Sequence, residues 1–496
     1  MTEMENKKSP NFTRDVLTIA SGTVLSQVIA ALAIPIITRL YSAENYGVYS
    51  LFVSIITIIG SIATLKYEFS IALPEDEIEA LNQFSLSAIV ALIFNILLFF
   101  ILIFIKPLLT KFFDQEIAQK LIFLIPFTSF LIGINYSLVF WNIRRNDFRN
   151  ISINKISKET FKDIFQLFPS VLGIFKSIVL IYAESLAWLI TTLVFYKNSF
   201  KGLAKDIAES LNSNILTNAF KKYIKFPKYS AFSTFINSLA LQLPVLLISI
   251  FFSKSFAGEF AISNNILRVP LTFIGNSIGQ VFYNRVSAIL GDKEKITKLV
   301  HNTVISLLEL GAIPVIFLGI FGQESLKLFL GSKWEMAGVI TQLLAPWILF
   351  NFISVPLSNL PNLLNKQEFL LIFNFILVIS KFLSLWIGSL FNDFLLGMLL
   401  FSLTGAILYG ALSIWLCSIS GIKPKVLLAE ILNYFLKISP IIAILVIIKI
   451  MDLNVFLRLA LAVISAIVFY FYSIRKNQGI KEIFGNDLLG LLKIKK

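Results

Sequence analysis

The residues of this sequence that most clearly require a chemical partner are two cations inside long apolar stretches, Arg268 and Lys381. An ionised side chain at the centre of a bilayer costs about 2.5 to 3.5 kcal/mol, so a cation there needs an anionic partner or ligand. Polar residues recur at helical spacing around both cations and along a third stretch, which places them on shared helix faces. The residues of these faces are Asn265, Thr272, Asn276, Asn351, Ser354, Ser358 and Asn374. We expect the faces to line a cavity in which the two cations bind an anion.

Arg39, Lys66 and Glu68 lie near the ends of the first two apolar stretches. We expect the two cations to add positive charge to the cavity and Glu68 to serve in charge pairing or ion coupling. The alternative is a purely topological role, because long side chains near the ends of a span can reach the membrane interface.

Glu184 and Glu309 also lie on polar faces within apolar stretches. They are candidates for binding a coupling ion, H⁺ or Na⁺, and equally for neutralising Arg268 or Lys381 as buried ion pairs. For the uncharged polar positions, the alternative to a binding role is helix packing, in which Ser, Thr, Asn and Gly are common.

Enzyme chemistry has little support in this sequence. His301 is the one histidine and has no carboxylate at metal-ligand spacing, and Cys417 is the one cysteine. Neither a zinc site, a histidine acid–base pair nor an intramolecular disulfide is therefore expected. The sequence contains no GxxxxGK[ST] loop to hold nucleotide phosphates. No catalytic residue, metal or cofactor is predicted, and a driving force would come from an ion gradient or from facilitated diffusion.

The elements that must position these residues are transmembrane helices. The chain has 57% hydrophobic residues, 15% charged residues and a mean hydropathy of +0.82. About fourteen apolar stretches of spanning length follow one another between Val16 and Tyr472. Lys and Arg crowd alternate connections, which predicts that both termini are cytoplasmic. The net charge of +14 suits loops that face anionic lipid head groups and requires no nucleic acid. Twelve spanning helices plus two interfacial ones stay as the alternative, because the fifth stretch, which begins near Ile156, and the thirteenth, which begins near Glu430, carry charges.

Residues 41–50 and 252–261 resemble one another and each contain a Gly at the same position. About six spans separate the two copies, so both halves would enter the membrane in the same orientation. We predict an all-α polytopic protein of two six-helix lobes in a parallel pseudo-repeat, followed by two further helices. The predicted domains are an N-terminal lobe at 1–197, a basic cytoplasmic linker at 198–228, a C-terminal lobe at 229–417, and two helices with a basic tail at 418–496.

The sequence resembles the Wzx-type polysaccharide repeat-unit flippases of the MOP transporter superfamily over about residues 14 to 370. The motifs that carry this resemblance are Gly22-Thr23 with Gln27, Pro35 to Ser42, Tyr46-Gly47, Ala72-Leu73-Pro74, Phe226 to Ser230, Leu243-Pro244-Val245, Arg268 with Pro270, Ile274-Gly275, Gln280 to Tyr283, Trp334 with Ala337-Gly338, Ala345-Pro346-Trp347 and Ser354 to Ser358. The Leu-Arg-Tyr-Glu of that family appears here as Leu65-Lys66-Tyr67-Glu68. This change keeps the charge but loses the bidentate geometry of arginine.

The resemblance implies a flippase of the bacterial inner membrane, with lipids around it. It would move undecaprenyl-pyrophosphate-linked oligosaccharide to the periplasmic leaflet for O-antigen, capsule or exopolysaccharide synthesis, by alternating access. A polysaccharide polymerase and a chain-length regulator are the implied protein partners. The alternatives are a MATE-like multidrug or cation antiporter and, from another class, a membrane polysaccharide polymerase or ligase.

Overall fold

The computed structural model describes residues 12–200, 213–270, 291–358, 360–364 and 366–476, with single positions between 275 and 289. All of its regular elements are helical, as predicted. The first nine α-helices are α1 Phe12–Leu40, α2 Ala43–Gly60, α3 Glu77–Phe104, α4 Lys106–Phe112, α5 Gln115–Arg144, α6 Phe148–Val171, α7 Ser177–Ser199, α8 Ser213–Lys222 and α9 Phe232–Phe251. The next eight are α10 Lys254–Pro270, α11 Lys293–Leu330, α12 Glu335–Ser354, α13 Leu360–Leu363, α14 Gln367–Leu390, α15 Phe394–Ile419, α16 Pro424–Ile450 and α17 Val455–Lys476.

Within the described residues, eleven helices are long and apolar enough to cross a membrane, so the chain is a multi-pass membrane protein. A shorter apolar helix, Val455–Phe471, follows them. The fifth predicted stretch forms α6 but is not among the eleven, and its charged residues explain why. The predicted total of fourteen spans therefore stays a prediction.

Asp and Ser side chains fix the starts of several helices. The backbone N–H of Asn45 donates to Ser42 Oγ at 3.2 Å, and that of Glu79 donates to Asp76 Oδ2 at 2.9 Å. Asp393 accepts from the N–H of Leu396 at 3.0 Å in the same way. Each cap satisfies one backbone donor that the first turn of a helix leaves unpaired.

The chain divides into two compact units, Met1–Gly258 and Glu259–Lys496. In the first unit α1 packs on α6, α6 on α7, and α9 on α2. In the second unit α12 packs on α11 and α15, and α14 packs on α15. The lobe boundaries predicted at 197, 228 and 417 stay predictions.

Small residues bring α1 and α6 into close contact. A Cβ on Gly22 would lie 2.5 Å from the Cβ of Ser152, and the Ser152 hydroxyl donates to the carbonyl oxygen of Thr18 at 2.7 Å. Gly22 and Thr18 thus join the two helices, which is the packing role that small polar residues have in membrane proteins.

The two copies of the sequence repeat meet through their glycines inside the first unit. A Cβ on Gly47 would lie 1.7 Å from the carbonyl oxygen of Lys254, and a Cβ on Gly258 would lie 2.1 Å from that of Ala43. In the repeat alignment Gly47 corresponds to Gly258, and Ala43 corresponds to Lys254. The contact is therefore reciprocal, as at a two-fold axis where each residue meets its counterpart's partner. This crossing supports the parallel repeat.

Pro346, Pro356 and Pro361 fall in the tenth apolar stretch and predict a kinked or broken helix, which the structure shows after α12. Helix α12 ends at Ser354, a 3-10 turn covers Val355–Leu357, and the chain resumes helix only at Leu360–Leu363. Proline removes a backbone donor and clashes with the preceding turn, so Pro356 ends the regular helix.

Candidate functional site

Lys66 and Glu68 form a buried ion pair at the end of α2. Backbone φ angles of +48° and +66° at Leu65 and Lys66 turn the chain into a 3-10 helix over Tyr67–Ala72. The Lys66 ammonium lies 3.1 Å from Glu68 Oε1, and the two residues are 7% and 0% exposed. The Thr64 hydroxyl donates to the other oxygen of Glu68. The charge of Lys66 is therefore paired with Glu68 within the first unit. The expected contact between Lys66 and a substrate stays a prediction.

The Lys66 ammonium also faces aromatic rings, 5.0 Å from the centroid of Phe69 and 5.3 Å from that of Tyr136. Such cation–π contacts further stabilise a cation that is removed from water. Arg39, in contrast, is exposed in the last turn of α1 and has no salt bridge within the described residues.

Glu184 is 3% exposed on α7 and accepts three donors. Tyr49 donates its hydroxyl at 2.9 Å, Trp188 donates its indole N–H at 3.0 Å, and the Lys158 ammonium lies at 3.0 Å. The Lys158 ammonium also lies 5.2 Å from the Trp188 ring centroid. Lys158 of α6 therefore neutralises Glu184. The sequence suggested Arg268 or Lys381 as possible partners of Glu184, and did not predict Lys158.

Further charges extend this pairing along α6. Glu159 forms salt bridges with Lys158 at 3.1 Å and with Lys162, and Lys162 lies 3.4 Å from Oδ1 of Asp163. We call Lys158, Glu159, Lys162, Asp163 and Glu184 the α6 charge cluster. This cluster was not predicted from the sequence, although a signal for it was present. Charges of alternating sign at 158, 159, 162 and 163 lie on one side of a helix.

The second unit brings Arg268 and Lys381 together. Lys381 is 6% exposed, and its ammonium lies 5.8 Å from the ring centroids of both Trp347 and Phe401. Arg268 interacts electrostatically with Lys381 as a like charge. Two like charges in one apolar environment repel one another, and an anion bound beside them would interact favourably with both.

Polar groups from two other helices surround this cation pair. The Tyr409 hydroxyl interacts electrostatically with Arg268 and is hydrogen-bonded to the Asn351 side chain. The predicted face residue Asn351 is thus near the cations. Asn265 and Asn374, also predicted to line the cavity, are exposed.

Ser354 and Ser358 act locally. The Ser354 hydroxyl is 2.8 Å from that of Ser413 and 3.1 Å from the carbonyl oxygen of Tyr409, which joins α12 to α15. Ser358 donates to the carbonyl oxygen of Val355 at 2.7 Å. The hydrogen bonds of Ser354 agree with a role in helix packing, which was the alternative to a binding role. The predicted face residues Thr272 and Asn276 lie outside the described residues.

Glu309 and His301 belong to α11 but have different surroundings. Glu309 interacts electrostatically with Tyr434 of α16. His301 Nε2 lies 2.6 Å from Oε2 of Glu430, also on α16. No sequence pattern predicts the His301–Glu430 pair, because 129 residues separate the partners. Within the described residues, no group of three or more His, Cys, Asp or Glu side chains could hold a metal ion.

Solved structures share this helical arrangement. A structure entitled "Lipid II flippase MurJ, inward closed conformation" aligns with a TM-score of 0.73 and 14% identity, over 95% of this chain and 100% of that chain. An inward-facing multidrug resistance MATE family transporter of the MOP superfamily aligns with a TM-score of 0.61 and 16% identity, over 79% of this chain and 94% of that chain. A MOP superfamily transporter from Pyrococcus furiosus gives 0.54 and 13%, over 83% of this chain and 97% of that one. The fold is that of MOP superfamily transporters.

The sequence itself identifies the family. A family model described as "Polysaccharide biosynthesis protein" matches residues 36–338, and the chain belongs to that family. Comparison with curated proteins gives no match. The predicted all-helical fold of the MOP superfamily is confirmed.

Proposed function

We propose that this protein flips oligosaccharide repeat units, linked to undecaprenyl pyrophosphate, from the cytoplasmic to the periplasmic leaflet of the bacterial inner membrane. The observation that carries the proposal is the electrostatic interaction of two cations, Arg268 and the buried Lys381, in the second unit. Membership of a polysaccharide biosynthesis family supports the oligosaccharide, and the fold shared with a lipid II flippase supports a lipid-linked cargo.

A pyrophosphate suits this cation pair. Its two phosphoryl groups present several acceptor oxygens, and an arginine guanidinium can donate two parallel hydrogen bonds to one of them. The Lys381 ammonium would supply a compact second charge, and Trp347 and Phe401 hold it in place. The mutual repulsion of the two cations is then relieved when the head group binds.

The remaining roles follow from this assignment. Both termini are cytoplasmic, as the Lys and Arg distribution predicts, and the product would pass to a polysaccharide polymerase and its chain-length regulator. O-antigen, capsule or exopolysaccharide would be the end product. Glu309 is the carboxylate proposed to couple the cycle to H⁺ or Na⁺, whereas Glu184, the other candidate, is paired with Lys158.

Single substitutions of the cation pair test the proposal. In a strain lacking the chromosomal gene, plasmid-borne Arg268→Ala and Lys381→Ala should each fail to restore surface polysaccharide while protein levels stay near wild type. Lys437→Ala is the matched control, because Lys437 is also a lysine within a spanning helix but is exposed. Full restoration by both Arg268→Ala and Lys381→Ala would contradict the assignment. Loss of drug resistance with normal polysaccharide would instead favour the MATE-like antiporter.

A further inference from the structure

The α6 charge cluster has one more carboxylate than ammonium group. Lys158 and Lys162 contribute two positive charges, whereas Glu159, Asp163 and Glu184 contribute three negative charges when ionised. All five side chains are less than a quarter exposed. An uncompensated charge in a poorly solvated place is unfavourable, so the cluster is expected to take up one positive charge.

Asp163 is the carboxylate with the weakest contacts in the cluster. Glu159 and Glu184 each accept from two or more groups, but neither oxygen of Asp163 accepts a hydrogen bond within the described residues. The residue is 6% exposed. The Lys162 ammonium, 3.4 Å from Asp163 Oδ1, is already hydrogen-bonded to Glu159.

Gln166 lies one turn beyond Asp163 on α6 and is also incompletely satisfied. It is 2% exposed, and its side-chain Nε2 has no acceptor within the described residues. Tyr41 of α1 donates its hydroxyl to the backbone carbonyl oxygen of Gln166 at 2.8 Å. Buried polar groups in folded proteins are nearly always hydrogen-bonded, so the unsatisfied side chains of Asp163 and Gln166 distinguish this turn of α6 from the rest of the cluster.

A proton fits this place better than a metal cation does. The Lys162 ammonium at 3.4 Å would repel Na⁺, and no metal-binding group of side chains occurs among the described residues. A protonated Asp163 needs no cation ligand sphere, and it leaves the cluster with two ammonium groups and two carboxylates.

We propose that Asp163 is a proton-binding site of this transporter and carries the proton in the conformation described. On release, the O–H bond of the carboxyl group breaks, the proton passes to water and the carboxylate remains. The cluster then gains a negative charge that only water or a rearranged lysine can compensate, so the conformation described is favoured by protonation. The proposal rests on the proposed transport function for what the proton drives, and on the cluster alone for where it binds.

The charged groups that act directly on Asp163 lie on α6 and are Lys158, Glu159 and Lys162. Around them, Glu184 of α7 acts on Lys162, Tyr49 of α2 donates a hydrogen bond to Glu184, and Tyr41 of α1 donates one to the backbone carbonyl oxygen of Gln166. Arg39 of α1 is exposed and is not among them. The charge balance given above therefore holds for the cluster as a whole.

Infrared difference spectroscopy on the purified protein in lipid tests the site without any transport substrate. At neutral pH the wild-type protein should show the C=O band of a protonated carboxylic acid, which shifts in D₂O, and Asp163→Asn should remove that band. Glu116→Gln is the control, because Glu116 is an exposed carboxylate that is paired with Lys120 on α5. If Asp163→Asn does not fold, Asp163→Glu should retain the band at a shifted frequency.

Two results would overturn the proposal. One is an Asp163→Asn spectrum that retains the whole wild-type band. The other is stabilisation of the wild-type protein by added NaCl, relative to choline chloride, that disappears in Asp163→Asn, since this would assign the site to Na⁺. Failure of the flippase assignment leaves the spectrum unchanged, so the two proposals fail separately. In cells, export by Asp163→Asn that is as rapid and as sensitive to an uncoupler as wild-type export would overturn the coupling role.

Discussion

Replacing Gly47 by alanine tests the crossing at which the two repeat segments meet. The new Cβ would lie 1.7 Å from the carbonyl oxygen of Lys254, whereas ordinary contacts of a Cβ begin at 3.4 Å. The backbones would have to separate by about 1.7 Å, which is the difference between those two distances. Because the opposing atom belongs to a backbone, no rotamer change can relieve the clash.

The expected cost lies at the upper end of the range for overpacking, about 3 kcal/mol. The intrinsic preference of a helix for alanine over glycine offsets this by about 1 kcal/mol. Gly410→Ala is the matched control, because its nearest contact would be the Phe350 ring at 3.6 Å. We expect Gly410→Ala to leave the melting temperature unchanged or to raise it.

The measurement is thermal unfolding of the detergent-purified protein, followed by fluorescence-detected gel filtration. Gly258→Ala should cost about as much as Gly47→Ala, because its Cβ would meet the carbonyl oxygen of Ala43 at 2.1 Å. The double variant should cost clearly less than the sum, since separating the helices once relieves both clashes. Equal melting temperatures for Gly47→Ala and Gly410→Ala, or strict additivity of Gly47→Ala and Gly258→Ala, would refute the reciprocal contact.

The other predictions concern ion pairs and a helix cap. Lys66→Ala should destabilise the protein by about 3 kcal/mol because Glu68 is left buried without a counter-ion, and adding Glu68→Gln should recover part of that loss in the same unfolding assay. Lys158→Met should likewise cost about 3 kcal/mol through the unpaired Glu184, and a Lys158→Met loss no larger than that of an exposed lysine would contradict the pairing. Asp292 caps α11, and its bonds with Lys295 hold its pKa below the ordinary value. The stabilisation from this carboxylate should thus be present at neutral pH and lost as the pH falls through the lowered pKa, and Asp292→Asn should reduce the acid-side dependence of the melting temperature.

Much of the architecture could be predicted because it depends on local patterns. The length of the apolar stretches predicts the helices, and Pro356 predicts the break after α12. The repeat at 41–50 and 252–261 predicts two parallel halves. The proximity of Arg268 and Lys381 was also expected, since both lie on polar faces of apolar helices.

What the sequence could not predict depends on partners far apart in the chain. The charges at 158 to 163 weakened the prediction of a fifth span, because Glu184, 26 residues beyond Lys158, was not recognised as their partner. The pair of His301 with Glu430 depends in the same way on the packing of α11 against α16. The repeat predicted two matching glycines, but only the folded structure shows that they contact one another.

The central claim is tested most directly by analysing lipid-linked oligosaccharides in a strain from which this gene has been deleted. We expect single undecaprenyl-pyrophosphate repeat units to accumulate on the cytoplasmic side while surface polysaccharide disappears. Both effects should be reversed by the wild-type gene and by Lys437→Ala, but not by Lys381→Ala, and mass spectrometry of the accumulated lipid would identify the sugar. Normal surface polysaccharide without accumulation, in a strain that has no second flippase, would contradict the account.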